Sequence, residues 1–117
     1  HLSIKQPTPG CINGRCDGET LVLTYSRFVY SCSIPSLEPL AFLFRMNSLF
    51  SVPCTKLMIC ATAFINQVVI WSLANGFVIK TIKVSRPSRI VFLKNDNNLI
   101  IESEGDQMVV TPNGTPI

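Results

Sequence analysis

The sequence predicts an all-β fold, and three observations support this prediction. Short runs of apolar and β-branched residues recur along the chain, each about as long as a β-strand. Turn-forming pairs separate these runs, above all Asn75-Gly76 and Asn113-Gly114, because Asn and Gly both tolerate a positive φ. The pattern of run and turn returns after about 40 residues, which indicates repeated units.

The predicted strands follow one another with short turns between them. Asp17-Gly18 is the first turn signal. Pro35 and Pro53 are each expected to end a strand, because proline has no N–H to donate to a sheet. The predicted strands are residues 20–24, 28–34, 40–44, 48–52, 57–63, 68–73, 77–82, 89–93, 99–102 and 108–111.

The spacing of the turns divides most of the chain into three similar units. Residues 1–16 are predicted to be an irregular lead-in or the end of a preceding unit, because Pro7, Pro9 and Gly10 interrupt regular structure. The predicted units are residues 17–44, 45–82 and 83–117. A unit of about 40 residues with four short strands has the size of a β-propeller blade. We therefore expect about three four-stranded blades of an incomplete propeller.

The composition also indicates a chain with much covered surface. Hydrophobic residues make up 47% and charged residues 15%, against about 25% charged residues in a typical domain. Ten Lys and Arg against seven Asp and Glu give a net charge of +3. The basic residues are dispersed and form no basic stripe, so we expect no nucleic-acid partner.

Three of the five cysteines are predicted to be buried thiols, and none is predicted to be a metal ligand. There are five of them, and an odd number does not close a disulfide framework. Cys11 and Cys16 lack a second pair at the spacing of zinc ligands. Cys32, Cys54 and Cys60 lie in apolar runs, which favours small hydrophobic side chains in a core. The sequence therefore predicts neither a metal site nor a cofactor.

No catalytic motif is present in the sequence. The G-x-S-x-G, P-loop and G-x-G-x-x-G patterns are missing, and His1 is the one histidine. A Ser-His or Cys-His pair is therefore not expected. Asp17 with Glu19, and Glu102 with Glu104, are carboxylate pairs at the edges of turns, where we interpret them as solvated surface. The sequence predicts that the protein is not an enzyme and has no catalytic residue.

Residues 57–79 leave a second interpretation open, an integral membrane protein segment with a transmembrane helix. These 23 residues carry no charge, and a helix of that length spans a hydrocarbon layer of about 30 Å. Asn66-Gln67 in the middle and Asn75-Gly76 near the end weigh against a helix, because amides are costly inside a bilayer.

Residues 61–82 resemble the second half of a WD repeat. They contain a strand of small residues, a tight turn, a strand that ends near Trp71, a glycine-containing turn and an apolar strand. Trp71 is followed by Ser72 instead of Asp, Asn66 stands where the tight turn usually has an acid, and no Gly-His pair opens the repeats. The resemblance implies that the hydrogen-bonded network of regular repeats is incomplete in this unit.

The chain also resembles the degenerate propellers that follow the BEACH domain in large eukaryotic trafficking proteins. The similarity lies in IWSLANGFVIKTI (residues 70–82) and VVTPNGTPI (residues 109–117). It implies a non-catalytic protein-interaction scaffold, cytoplasmic and part of a larger protein, whose other parts associate peripherally with membranes. Its expected partners are proteins, bound through exposed loops.

Loops and a few aromatic residues are the candidates for binding. The candidate loops are Asn66-Gln67, residues 95–98 and residues 104–107. The pattern does not indicate which end of the fold each loop occupies. Tyr25 and Tyr30 are candidate contact residues. Trp71 is expected to anchor a core, because a tryptophan on a strand buries its ring and donates its indole N–H to a buried partner.

Overall fold

The computed structural model describes residues 10–117, which form β-strands and no helix. The strands lie in three antiparallel sheets that succeed one another along the chain, so the all-β prediction is confirmed. The strands are β1 (Cys11–Asp17), β2 (Thr20–Tyr25), β3 (Val29–Ser33), β4 (Pro39–Leu43), β5 (Ser48–Cys54), β6 (Ile59–Phe64), β7 (Gln67–Ser72), β8 (Val78–Lys83), β9 (Pro87–Phe92), β10 (Leu99–Ser103) and β11 (Asp106–Val110).

Each sheet is a simple meander in which neighbouring strands of the chain are paired. The first sheet has the order β1-β2-β3-β4 and the second has the order β5-β6-β7-β8. The third sheet contains β9, β10 and β11. After β11, Pro116 forms an antiparallel bridge with Val110, at the place that a fourth strand occupies in the other two sheets.

Strand pairing repeats in register between the first and second sheets. Tyr30 lies opposite Phe42 in the first sheet, and Val69 lies opposite Thr81 in the second. Both partners are shifted by 39 positions along the chain, from 30 to 69 and from 42 to 81. The sequence period of about 40 residues therefore corresponds to a repeat of the structure.

The connections between the sheets repeat with the same shift. The Asn47 N–H donates to the Ser26 carbonyl at 2.6 Å, and the Arg86 N–H donates to the Ile65 carbonyl at 2.7 Å. Asn47 and Arg86 both have a positive φ, of 68° and 48°. Each bond ties the segment that leaves one sheet to an earlier turn of that sheet, which fixes where the next sheet begins.

The sheets stack face to face, and their cores lie between them. The second sheet is covered on both faces, so β7 is apolar on both sides, in agreement with its continuous apolar sequence. The core between the first and second sheets consists of Val22, Val29, Ala41, Leu43, Cys60, Phe64, Val69, Trp71 and Leu73. The core between the second and third sheets includes Ala61, Ala63, Val68, Ile70, Ile82, Ile90, Leu99, Ile101 and Val110.

The predicted irregular lead-in and the predicted end of β5 are both wrong. Residues 11–17 form β1, paired with β2, so the first sheet begins inside the predicted lead-in of residues 1–16. The part of that lead-in before residue 10 lies outside the described residues. Pro53 does not end β5 but lies within it, opposite Cys60. It is tolerated because β5 is the edge strand of its sheet, where an N–H need not be donated.

The alternative of a helix over residues 57–79 is also wrong. This segment contains β6, β7 and the beginning of β8, joined by turns at residues 65–66 and 73–77. Its backbone groups are paired between strands, since Thr62 lies opposite Val69 and Ile70 lies opposite Lys80. Within the described part of the chain, no helix is long and apolar enough to cross a membrane.

Candidate interaction surfaces

The turns of the three sheets lie at two opposite ends of the strands, because antiparallel neighbours reverse direction at each turn. One end, here called the crossover end, carries the connections between sheets at residues 44–47 and 84–86. The other end is called the hairpin end. Turns at the crossover end are residues 26–28, 65–66 and 104–105. Turns at the hairpin end are residues 18–19, 34–38, 55–58, 73–77 and 93–98.

The three candidate loops do not lie together. Asn66-Gln67 and residues 104–107 are at the crossover end, whereas residues 95–98 are at the hairpin end. The Asn66 carbonyl accepts a hydrogen bond from the Val84 N–H at 3.4 Å, so this turn also holds a connection between sheets. A single flat partner surface could therefore contact only two of the three loops at once.

Trp71 lies in the core between the first two sheets, which confirms its predicted role. Its side chain is fully buried, and the indole N–H donates to Thr62 Oγ1 at 2.9 Å. Thr62 Oγ1 is 2.8 Å from Ser51 Oγ, and Thr24 Oγ1 donates to Ser51 Oγ at 2.9 Å. All four side chains are buried, and Thr24 belongs to the first sheet. The chain of hydrogen bonds therefore crosses the interface between two sheets.

Hydroxyl groups supply the network although Asn66 replaces the expected acid. The indole N–H of Trp71 would cost free energy if it were buried without an acceptor, and Thr62 provides that acceptor. In residues 10–117, the buried side-chain atom without a hydrogen-bond partner is Asn13 Oδ1, which lies outside this network. Each member of this network therefore has a hydrogen-bond partner.

The described cysteines are free thiols in different surroundings. Cys32, Cys54 and Cys60 are buried, as predicted, whereas Cys16 is exposed. Burial raises the pKa of the Cys60 thiol to about 12, because a thiolate there would be removed from water. No group of three or more His, Cys, Asp or Glu side chains in residues 10–117 is arranged to hold a metal ion. The buried thiols therefore serve as small apolar side chains.

We expect Cys60 to resist alkylation in the folded protein while Cys16 reacts. The thiolate is the reactive species, and Cys60 is fully buried with a raised pKa. Iodoacetamide labelling followed by peptide mass spectrometry would give the rate at each cysteine. In urea the two rates should become similar. Equal rates at Cys60 and Cys16 without denaturant would contradict the buried position of Cys60.

Five aromatic rings form a partly exposed cluster on the first sheet. We call this cluster the aromatic surface, and it consists of Tyr25, Phe28, Tyr30, Phe42 and Phe44. The rings of Phe42 and Phe44 stack with centroids 5.3 Å apart, and those of Tyr30 and Phe42 are 4.8 Å apart. Phe28 lies 5.8 Å from Phe42. Phe44 is 76% exposed and Phe42 is 41% exposed, so the cluster presents apolar rings to solvent.

The aromatic surface faces away from the second sheet. Successive side chains of a strand point to opposite faces of its sheet. In β4, Ala41 and Leu43 are buried against the second sheet, so Phe42 and Phe44 point to the other side. The sequence pattern indicated Tyr25 and Tyr30 but missed the phenylalanines. What distinguishes them is their difference from the equivalent residues of the second sheet, which is visible only after the 39-residue repeat has been aligned strand by strand.

A cleft of about 370 Å³ runs beside β1, β5 and β9. Arg15, Lys56 and Lys94 line it and are exposed, which gives the cleft a positive character. Asp17 also lines it, but its carboxylate accepts a hydrogen bond from the Thr55 N–H at 2.6 Å. This carboxylate therefore holds the first hairpin turn against the second sheet.

Solved structures share the fold of this chain at low sequence identity. A computationally designed protein, Ika8, matches 88% of the chain with a TM-score of 0.72 and 14% identity, and the match covers 34% of Ika8. KlHsv2 with loop 6CD replaced by a Gly-Ser linker matches 85% of the chain with a TM-score of 0.70 and 12% identity, over 37% of its length. The chain thus spans about a third of each structure. No family model and no curated protein matches it.

Proposed function

We propose that this chain is part of a β-propeller that acts as a non-catalytic protein-interaction scaffold within a larger protein. The observation that carries the proposal is the stacking of successive meander sheets in a 39-residue register, with the second sheet buried on both faces. Propeller blades are four-stranded sheets that stack in this way around a central axis. The strands β1, β5 and β9 would line that axis, since β1 contacts β5 and β5 contacts β9.

The open face of the first sheet supports a further blade before it. Leu23 and Tyr30 are half-buried on this face. Their equivalents 39 positions later, Thr62 and Val69, are fully buried against the first sheet. A preceding sheet that packed in the same way would cover Leu23 and Tyr30. Such stacking is the reason that repeat units need neighbours for stability.

The lengths of the matched structures are consistent with a ring. Propellers close with about four to eight blades. Three sheets that cover about a third of each matched structure fit a ring near the upper end of that range. A scaffold of this size would offer its partners the turns at both ends and the outer strands of each blade.

We further propose, from sequence resemblance, which kind of larger protein contains this chain. The similarity of residues 70–82 and 109–117 to BEACH-type propellers supports a cytoplasmic protein of membrane trafficking. Under this proposal, the remainder of the larger protein would supply the association with membranes, and the present sheets would bind proteins.

We expect a cysteine placed at Leu23 to be protected in the full-length polypeptide that contains these residues. In a chain of residues 1–117 the side chain at position 23 is half-buried, and in a propeller the preceding blade would cover it. The Leu23→Cys substitution, made with the exposed Cys16 changed to serine, would be labelled with a maleimide in both forms. The rate should fall at least tenfold in the full-length polypeptide.

The matched control is Thr81→Cys, on the outer strand of the second sheet. Thr81 is exposed although a sheet lies on either side of its own. Its labelling rate should therefore be the same in both forms. Equal protection at both positions would indicate general burial in another architecture. An unchanged rate at Leu23→Cys would reject the propeller.

A further inference from the structure

The aromatic surface carries apolar residues at positions whose equivalents in the second sheet, 39 residues later, are polar. Phe42 and Phe44 correspond to Thr81 and Lys83 in the second sheet, as shown by the pairs Tyr30–Phe42 and Val69–Thr81. Thr81 and Lys83 are exposed, although the first sheet packs against that face of the second sheet. Stacking of sheets therefore does not cover this outer part of the face, and it cannot account for two exposed phenylalanines.

A third phenylalanine, the half-buried Phe28, also stands where the second sheet has a polar residue. Phe28 corresponds to Gln67, because Gln67 pairs with Lys83 in the second sheet. Its ring lies 6.4 Å from that of Phe44 and 4.7 Å from that of Tyr25. Three positions that are polar in one repeat are thus phenylalanine in the other, and all three belong to one cluster. Contiguous exposed apolar surface of this kind is typical of a binding site.

Two arginines flank the aromatic surface at the crossover end. Arg27 precedes Phe28, and Arg45 follows Phe44. Their loops are tied together by the hydrogen bond from the Asn47 N–H to the Ser26 carbonyl. Within residues 10–44, which contain the first sheet, the acidic residues all lie at the hairpin end. They are Asp17, Glu19 and Glu38.

At the crossover end of the first sheet, the charge is therefore positive and is not compensated within that sheet. In residues 10–117 the one salt bridge joins Arg89 and Glu102 in the third sheet, so neither Arg27 nor Arg45 is paired with a described carboxylate. Arginine forms bidentate hydrogen bonds with carboxylates and is enriched with aromatic residues at protein interfaces.

We propose that the outer part of the aromatic surface, formed by Phe28, Phe42 and Phe44, binds a segment of a partner protein that carries aromatic or aliphatic side chains beside Asp or Glu. The apolar side chains would pack on Phe28, Phe42 and Phe44, and the carboxylates would contact Arg27 and Arg45. Tyr25, Tyr30 and Phe42 lie on β2, β3 and β4, and Phe28 and Phe44 directly adjoin β3 and β4. The cluster is therefore continuous with the sheet face, which favours a protein segment over a lipid surface. The inference rests on the proposed interaction function and does not require a closed ring.

Binding would be measured by fluorescence anisotropy with a labelled synthetic peptide in which Phe and Leu alternate with Asp and Glu. We expect the double variant Phe42→Thr and Phe44→Lys to lose at least tenfold in affinity, since these rings are the exposed core of the surface. This variant should fold, because it introduces the residues that the second sheet carries at the same positions. Circular dichroism and thermal unfolding would confirm that it does.

The matched control is Phe77→Ser. Phe77 is 72% exposed, similar to Phe44, but lies at the hairpin end outside the aromatic surface. Its affinity for the peptide should equal that of the unchanged protein. Charge reversal by Arg27→Glu or Arg45→Glu should weaken binding of the acidic peptide. The same change should strengthen binding of a second peptide in which Lys replaces each acid.

Several results would overturn the proposal. These are no binding of the acidic peptide by the unchanged protein, equal loss in Phe77→Ser, and equal affinity for the acidic and Lys-containing peptides. Binding to phosphatidylserine vesicles without binding to the peptide would assign the surface to a membrane instead. The Leu23→Cys experiment is independent of all these results, so failure of the aromatic surface and failure of the propeller are distinguishable.

Discussion

Replacement of Trp71 by alanine should lower the free energy of unfolding by about 3–5 kcal/mol, the usual cost of removing a large buried aromatic side chain. Trp71 is fully buried between the first and second sheets, among Val22, Leu43 and Leu73. The loss is a large part of the total stability of a small domain, about 5–15 kcal/mol. Urea unfolding followed by far-ultraviolet circular dichroism would measure it.

The hydrogen-bonded network should account for a separate part of this loss. Trp71→Phe retains most of the apolar ring but removes the indole N–H, so Thr62 loses one of its partners. We expect this variant to lose about 1–3 kcal/mol, between the unchanged protein and Trp71→Ala. Phe77→Ala is the control, because that ring is mostly exposed and its removal should change stability by less than about 0.5 kcal/mol. A loss below about 1 kcal/mol for Trp71→Ala would contradict the packing described.

The sequence predicted those strands whose own residues carry a strong pattern. β7 has four buried apolar residues in succession, which favours a strand covered on both faces. β1 was missed because its sequence, CINGRCD, has Asn and Gly where β-branched residues would be expected. Its strand conformation comes from backbone pairing with β2 across the next turn, for example Gly14 with Leu23, and the side chains of β1 give no signal of this pairing.

Turn conformations were predictable where the residue type favours them. Asn47 adopts a positive φ of 68°, which asparagine tolerates. Arg86 occupies the equivalent position with a φ of 48°, and nothing about an arginine indicates it. There the hydrogen bond to the Ile65 carbonyl holds the backbone in place. The tertiary contact, and not the residue, determines this second turn.

The aromatic surface shows the same limit at the level of function. Phe42 and Phe44 lie in an apolar run that equally fits a core strand. They become unusual only when strand register shows that their equivalents in the second sheet are the polar residues Thr81 and Lys83. Register depends on hydrogen bonds between strands, so the candidate contact residues could not be separated from core residues in the sequence.

Gly76 is expected to be the glycine least tolerant of substitution. It has a φ of +80°, and a Cβ atom there would lie 2.5 Å from the Phe42 carbonyl oxygen in β4. The turn of the second sheet thus packs directly on the backbone of the first. Gly114 has a φ of +85° and lies against the side chain of Lys80 in β8, so a turn glycine also approaches the outer strand at the next interface. Gly76 therefore fixes how closely the outer strands of adjacent sheets approach.

Gly76→Ala should destabilise the protein by more than about 3 kcal/mol. The left-handed backbone alone costs an alanine about 1–2 kcal/mol, and the clash with a carbonyl oxygen in a packed strand adds to this because backbone atoms cannot rotate away. Thermal or urea unfolding would measure the change.

The control variant Gly105→Ala separates the cost of the left-handed backbone from the cost of the clash with the Phe42 carbonyl oxygen. Gly105 has a φ of +86°, close to that of Gly76, but a Cβ atom there would meet nothing within 4 Å. This control should lose only the backbone cost of about 1–2 kcal/mol. The difference between the two variants then measures the close approach of the second sheet to β4. Equal losses would show that the sheets separate at little cost, and that the Asn75-Gly76 turn does not set their spacing.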